Sequence, residues 1–253
     1  MIIISDKPVD GNTISREYPV NSFEWDIINK MSLSDEEYFY DTSEQLNFEL
    51  WMRQEIIEAS RQLNRSGMAF AVFRKARCNP RYWERTSEGG FITRNDVRSS
   101  DATLDIFVNG GQYATECATA MVMIYYKALL SIYPEQLYNQ VFPQIYLMNW
   151  HNLDPLIEEV GDTRQVADYL PGDRRYFANP DVDPIHAYMQ GENVIDLGNG
   201  TYYGHGIGIG NENAIIRVLN RYRRRDSQQS AYLLDVAGRP NFIKLSNIYH
   251  QFV

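Results

Sequence analysis

Few side chains among these 253 residues can act as nucleophile or proton carrier near neutral pH: two cysteines, Cys78 and Cys117, and four histidines, at 151, 186, 205 and 250. Cys117 stands in Glu116-Cys117-Ala118-Thr119-Ala120, just past the Gly110-Gly111 break and at the entrance to a long apolar run. A buried cysteine is commonly an inert small hydrophobe. In the first turn of a helix, however, free N–H groups and the positive end of the macrodipole favour a thiolate. The same donors stabilise an oxyanion if the reacting carbonyl sits in front of the helix. Position alone therefore leaves filler and nucleophile both open. Glu116 reads either as an ordinary acid at a helix N-terminus or as a proton acceptor, since a carboxylate touching a thiol raises its pKa.

A nucleophile needs a base. His186 and His250 fall in loop and tail contexts, and His151 follows Trp150 at a strand end. His205 lies in Tyr203-Gly204-His205-Gly206, where flanking glycines leave room for another group to approach the ring. Asn199-Gly200 predicts a two-residue hairpin turn. That turn pairs His205 with Val194 and sets Glu192 on the same face, one diagonal step of about 7–8 Å away. Glu192 then orients His205 or shares its proton, whereas a three-residue turn puts it on the other face. Gly206-x-Gly208-x-Gly210 opens no βαβ unit and is set aside as a dinucleotide fingerprint. The acids at 154, 158, 159 and 162 lack EF-hand spacing, and no metal site is expected.

The elements that must position these groups follow from periodicity and breakers. A helix is expected from Ser43, which can cap it, to about Asn64. A strand follows over Ala69–Phe73, then a hairpin of Tyr82–Arg85 with Gly90–Thr93, and a helix over Ser100–Val108. The run from Glu116 to Ile132 is apolar on nearly every face, with Lys127 its one interior charge. Such a helix belongs inside a fold. Further strands are expected at Ile145–Trp150, Asn193–Leu197 and Thr201–Ile209, with a loop-rich stretch over 153–185 and a short helix over Ala214–Arg223. Residues 231–234 fit either a strand or a helical turn. Residues 1–40 read as an extended arm or cap with one short helix. The order implies a single α+β domain over 1–253, with a buried central helix packed on an antiparallel sheet.

Composition narrows the classes. An apolar fraction of 44% suits a globular chain. A net charge of −9 excludes general nucleic-acid binding, and the run of arginines at 221 and 223–225 reads as a solvated helix end. No stretch approaches the ~20 apolar residues that span a bilayer, and Met1–Lys7 is no signal peptide, so synthesis in the cytoplasm is expected. Two cysteines make no disulfide framework. The 18 tyrosines suggest broad amphipathic contact surfaces.

Several motifs in order bear a resemblance. Tyr113-x-x-Glu116-Cys117-Ala118-Thr119-Ala120 with Ile124-Tyr125-Tyr126, then Asn149-Trp150-His151, Gly191-Glu192-Asn193-Val194-Ile195, His205-Gly206-Ile207-Gly208-Ile209 and Gln229-Ser230-Ala231-Tyr232-Leu233-Leu234 resemble the spore-coat transglutaminases of bacilli. The resemblance runs from about Glu44 to Leu234; the first forty residues and the tail match poorly. It implies a calcium-independent protein-glutamine γ-glutamyltransferase, without cofactor, on a papain-like (NlpC/P60-type) core. It places the nucleophile on Cys117, a glutamate of the machinery on Glu192, the second-strand histidine on His205 and an assisting acid on Glu116. It also implies a hydrophobic tunnel, to which Phe70 and Trp150 are assigned. Cys78 matches no motif and reads as structural.

The expected chemistry is two-step acyl transfer through a cysteine thioester. Glutamine and lysine side chains of proteins, spore-coat proteins by the resemblance, are the expected substrates, and the spore coat is the expected site of deposition. A papain-like cysteine peptidase or amidase needs the same nucleophile and differs in the acyl acceptor. A tyrosine-rich coat protein that retains the fold without catalysis is the non-enzymatic alternative.

Overall fold

The computed structural model describes all 253 residues. Residues 1–40 are a folded cap rather than an extended arm. β1 (Ile2–Ile4) runs antiparallel to β2 (Lys7–Val9); α1 (Gly11–Ser15) and α2 (Phe23–Leu33) follow, and β3 (Tyr38–Tyr40) returns parallel to β1. Asp10 and Ser22 cap the two helices with their side chains. Ile2, Ile27, Ile28 and Met31 form a small core against Leu46 and Leu50 of α3 (Ser43–Arg65), so the cap is bound through one face of that helix. The N-cap of α3 is Thr42 rather than Ser43, and its hydroxyl makes no capping bond. Gln45 instead reaches back outside the helix, accepting from the Asp41 N–H at 2.7 Å and fixing the chain's entry.

Beyond α3, β4 (Ala69–Phe70) is shorter than the strand expected over 69–73, because the chain turns into a 3-10 segment at Phe73–Lys75. β5 (Trp83–Arg85) and β6 (Phe91–Thr93) form the expected hairpin. After α4 (Ser99–Val108), β7 (Ala114–Thr115) pairs parallel to β4 and delivers the chain to α5 (Cys117–Ile132). α5 is the centre of the molecule: from Ala118 onward it is buried all round except at Lys127, Leu130 and Ser131. A helix with no polar stripe must be wrapped by other elements, and α3, α4 and α6 (Glu135–Val141) supply one side of the wrapping. β8 (Tyr146–Leu147) adds to the β5–β6 sheet.

The other side of α5 is a five-stranded antiparallel sheet. It is built from β9 (Arg174–Ala178), β10 (Gly191–Gly198), β11 (Thr201–Gly204) and β12 (Gly208–Asn211), then α7 (Glu212–Asn220) and β13 (Tyr232–Leu233), in the order β12-β11-β10-β9-β13. A C-terminal helix, α8 (Phe242–Phe252), closes over α3. β9 lies inside the stretch read as loop. Two arginines head it, and both are buried, so its strand pattern is invisible to an apolar count. Its entry is fixed by a buried ion network: Arg53 of α3 pairs with Glu49 and Asp173 at 2.8 Å each, and Arg239 pairs with Asp173 at 2.7 Å.

The β10–β11 hairpin corrects the expected register. Asn199 and Gly200 do occupy the turn, both at positive φ (53° and 68°), as a type I′ connection requires. A bulge between Asp196 and Gly198 then shifts the pairing by one residue. Val194 faces Gly204 instead of His205. One residue of slip changes the face of every side chain beyond it. No helix is long and apolar enough to cross a membrane.

Candidate active site

α5 begins at Cys117, and Glu116 is its N-cap. The Glu116 carboxylate accepts from the Ala118 N–H at 2.6 Å, the Thr119 N–H at 2.7 Å and the Thr119 hydroxyl. Two of the helix donors assigned above to an oxyanion are therefore occupied by this cap. Thr119 carries the linkage further: its Oγ1 accepts from the Asn149 N–H at 2.8 Å. Asn149 sits at φ 51°, and its Oδ1 accepts from the Trp150 N–H at 2.8 Å. The start of α5 thus sets the position of the tryptophan loop.

Cys117 is half-buried and opens onto a cavity of about 340 Å³. Phe70 and Trp150, the two aromatics assigned from the resemblance, both line it, together with Tyr176, Tyr188 and Asn193. Glu116 is the one carboxylate in that lining. A larger hollow of about 530 Å³ lies between the cap and the C-terminal segment, around Tyr38, Glu159 and Arg239; it holds no cysteine or histidine.

The electrostatics around the sulfur differ from the helix-dipole expectation. Burial pushes the Cys117 thiol well up, and the charges of Glu192 and then Glu116 push it further; the N–H groups of Asn193 act the other way. Glu192 on β10 is 1% exposed, and its Oε1 has no hydrogen-bond partner. Burial, then the charge of Glu116, raises its pKa well above the usual carboxylate range, while the His205 backbone N–H favours its ionised form. A buried carboxyl without a cation is held protonated until late in a titration. Glu192 and Cys117 form one interacting pair, and because a carboxylic acid is intrinsically the stronger acid, the first proton lost comes from Glu192.

His205 is placed differently from the proposal that it meets Glu192 through its ring. Its Nε2 lies 3.2 Å from the Ala69 carbonyl, which only accepts, so Nε2 carries the proton. Nδ1 is then the acceptor for the Tyr203 hydroxyl at 3.3 Å. Burial lowers the pKa of this histidine to about 4, against the opposing pull of the Ala69 and Thr115 carbonyls. The ring is neutral, both nitrogens are engaged, and neither is bonded to Cys117 or Glu192. His151 is exposed in a turn and His250 is exposed on α8, while His186 is half-buried between Tyr188 and Tyr222. Cys78, whose thiol burial pushes up to about 11, donates weakly to the Trp83 carbonyl, away from the cleft.

Residues that the sequence did not single out complete the site. Asn193 directs its amide nitrogen at Cys117 Sγ, 3.6 Å away, and Arg174 of β9 donates to Asn193 Oδ1 at 2.8 Å. The Arg174 guanidinium lies over the Trp150 ring at 4.4 Å. Asn193 followed Glu192 in a quoted motif without drawing notice, and Arg174 was hidden in an apparent loop.

Three comparisons bear on this geometry. The profile of the protein-glutamine gamma-glutamyltransferase family matches residues 1–249. A protein of that name from Halalkalibacterium halodurans is 41% identical over 222 residues, 88% of this chain and 77% of the relative. One from Bacillus cereus is 41% identical over 237 residues, 91% of this chain and 85% of the relative. A solved transglutaminase from Geobacillus stearothermophilus, without its C-terminal extension, superposes with a TM-score of 0.77 at 45% identity, covering 82% of this chain and 98% of that one.

Proposed function

The chain belongs to the protein-glutamine gamma-glutamyltransferase family and is an acyltransferase, and we propose that it works through a thioester on Cys117 with Glu192 as general base. One observation carries the assignment of residues. The only cysteine in the aromatic-lined cleft sits at the first position of α5, within the electrostatic reach of a buried, unpaired glutamate.

The reaction runs in two halves. Ionised Glu192 takes the thiol proton as Cys117 Sγ attacks the γ-carboxamide carbon of a protein glutamine. The tetrahedral adduct collapses, the C–N bond breaks, and Glu192 returns the proton to the departing ammonia. A neutral lysine ε-amine then attacks the thioester, gives its proton to Glu192, and displaces Sγ, which recovers that proton. The product is an ε-(γ-glutamyl)lysine bond. Because Glu192 is pushed up, it is a stronger base than an ordinary carboxylate, and its pKa lies closer to that of the lysine ammonium. Phe70 and Trp150 form apolar walls that limit water at the thioester and favour transfer over hydrolysis. This is what separates the proposed activity from that of a peptidase or amidase built on the same nucleophile.

The helix-on-antiparallel-sheet core, with the nucleophile at the helix start, supports a papain-like arrangement of the NlpC/P60 type. No step needs a metal, so activity independent of calcium is part of the proposal. The ordered motif set, together with relatives from bacilli, supports coat proteins of the spore as substrates and the spore coat as the place of deposition.

Incorporation of a fluorescent primary amine into casein, measured beside glutamate release, tests the reading. Amine incorporation in excess of hydrolysis, abolished in Cys117→Ala, is expected. Cross-linking that persists in Cys117→Ala would falsify the mechanism.

A further inference from the structure

Arg174 is a buried cation with no carboxylate in an ion pair. It is 3% exposed, and its guanidinium donates only to neutral oxygens: Val160 O at 3.0 Å, Gly161 O at 3.3 Å, Asp162 O at 2.9 Å and Asn193 Oδ1 at 2.8 Å. No carboxylate forms an ion pair with it, in contrast to Arg53 and Arg239, which share Asp173. Stacking on Trp150 adds a cation–π contact but no countercharge. An unpaired buried charge is a liability unless something compensates it.

The Asp162 charge acts on it without an ion pair, and the other group that can compensate it, Cys117, is one amide away. Arg174 has donors alone, so the Asn193 side chain must turn its oxygen toward it and its NH2 away. That NH2 has a single acceptor within reach, Cys117 Sγ. The Asn193 backbone N–H faces the same sulfur. Asn193 is only 6% exposed where it lines the cavity.

We infer that Asn193 is a catalytic residue, donating its side-chain N–H to the Cys117 sulfur as the thiolate forms, and that Arg174 is the positioning residue that fixes this amide and supplies its countercharge. The inference rests on Cys117 being the nucleophile. As the thiol proton passes to Glu192, negative charge appears on sulfur in front of an amide already polarised by a guanidinium. A preorganised donor of this kind acts without reorganisation at the moment of reaction. The role also gives a reason for an arginine at the head of β9, where packing alone would take an apolar residue.

The discriminating variant is Asn193→Asp. It keeps shape and gives Arg174 an ion pair, so the fold is preserved while the donor to sulfur is lost. Because the new carboxylate also opposes a thiolate, a role as donor requires the charge-free Asn193→Ala to show the same loss of kcat and the same direction of profile shift. Asn193→Ala removes both contacts. The readouts are kcat, KM, melting temperature and the pH dependence of Cys117 alkylation by iodoacetamide. Glu116 at the helix cap, Glu192 on β10, and Arg174 and Tyr176 on β9 all face the thiol, so each profile is read as a shift from the wild-type protein. We expect kcat to fall by about 10²–10³-fold in both variants with KM little changed. The alkylation profile should move to higher pH by at least one unit, and Asn193→Asp should melt within a few degrees of wild type. Asn193→Asp with wild-type kcat and an unmoved profile overturns the inference, whatever becomes of the alanine variant. Loss of the parent reading looks different: a wild-type enzyme whose activity survives Cys117→Ala.

Discussion

The Glu192 side chain rests directly against the backbone of Gly204. A Cβ at position 204 would stand 3.0 Å from Glu192 Cγ, 3.1 Å from its Oε1 and 3.3 Å from Val194 Cγ1. The glycine on the neighbouring strand is therefore what leaves room for the buried carboxylate, and the bulge in β10 is what brings that glycine opposite Val194.

Gly204→Ala should accordingly act on catalysis more than on folding. The residue is not at positive φ, so alanine adds no backbone strain. The methyl group must displace the carboxylate by a few tenths of an ångström or turn it to another rotamer. A loss of kcat of about tenfold or more is expected, since small misplacements of a reacting group are expensive. Amine-incorporation kinetics check this beside a melting curve; unchanged kcat would separate Glu192 from the chemistry.

Glu192→Gln should exchange activity for stability. General-base removal predicts a fall of about 10²–10⁴ in kcat. The folded pKa of Glu192 is raised above its unfolded value, so the unfolded chain binds fewer protons over the interval between them. Stability from this group is complete below the unfolded pKa and is lost as pH rises through the folded one. Glutamine removes that loss. The melting temperature of Glu192→Gln should therefore equal that of wild type near pH 4 and exceed it increasingly toward pH 9.

The parts of this molecule that were legible in its sequence are those with strong local signals. α5 announced itself by an apolar run of helical length, the hairpin by Asn199-Gly200, and Cys117 by its place between a glycine break and a core helix. Register was not legible, because a bulge carries no consistent residue signature. The chemical groups that depend on register went astray with it: the His205 ring points to the Ala69 carbonyl rather than to Glu192. β9 was hidden because its inward residues include an arginine that is buried only in the context of Trp150 and Asn193. Glu116 was visible as a neighbour of the thiol, but whether it caps or reacts depends on the rotamer its side chain adopts.

His205 should make the fold acid-sensitive. Its folded pKa, about 4, lies below the ordinary histidine value of 6.5, so the unfolded chain takes up a proton first as pH falls. Stability is fully present above pH 6.5 and is lost down to pH 4. With about 1.4 kcal/mol per unit, the loss is about 3 kcal/mol. Urea unfolding at pH 7 and pH 4 should show wild type losing that much more than His205→Gln, whose amide can still donate to Ala69. Equal losses in the two proteins would mean that the imidazole binds its proton equally well in the folded and the unfolded chain.

Glu116→Gln separates the two roles of the cap. The amide oxygen can still accept one N–H at the start of α5, so the expected loss of stability is at the lower end of the range for cap substitutions, about 0.5–1 kcal/mol. Its negative charge, however, raises both Cys117 and Glu192, and that contribution disappears. The alkylation profile of Cys117 should shift to lower pH, and the acid limb of the kcat profile should shift the same way as Glu192 ionises more readily. A cap of purely structural importance would change the melting temperature and leave both profiles where they were. A proton acceptor in its own right would instead lower kcat at every pH. Measuring the two profiles on one preparation decides among the three, because only an electrostatic role moves them together without flattening either.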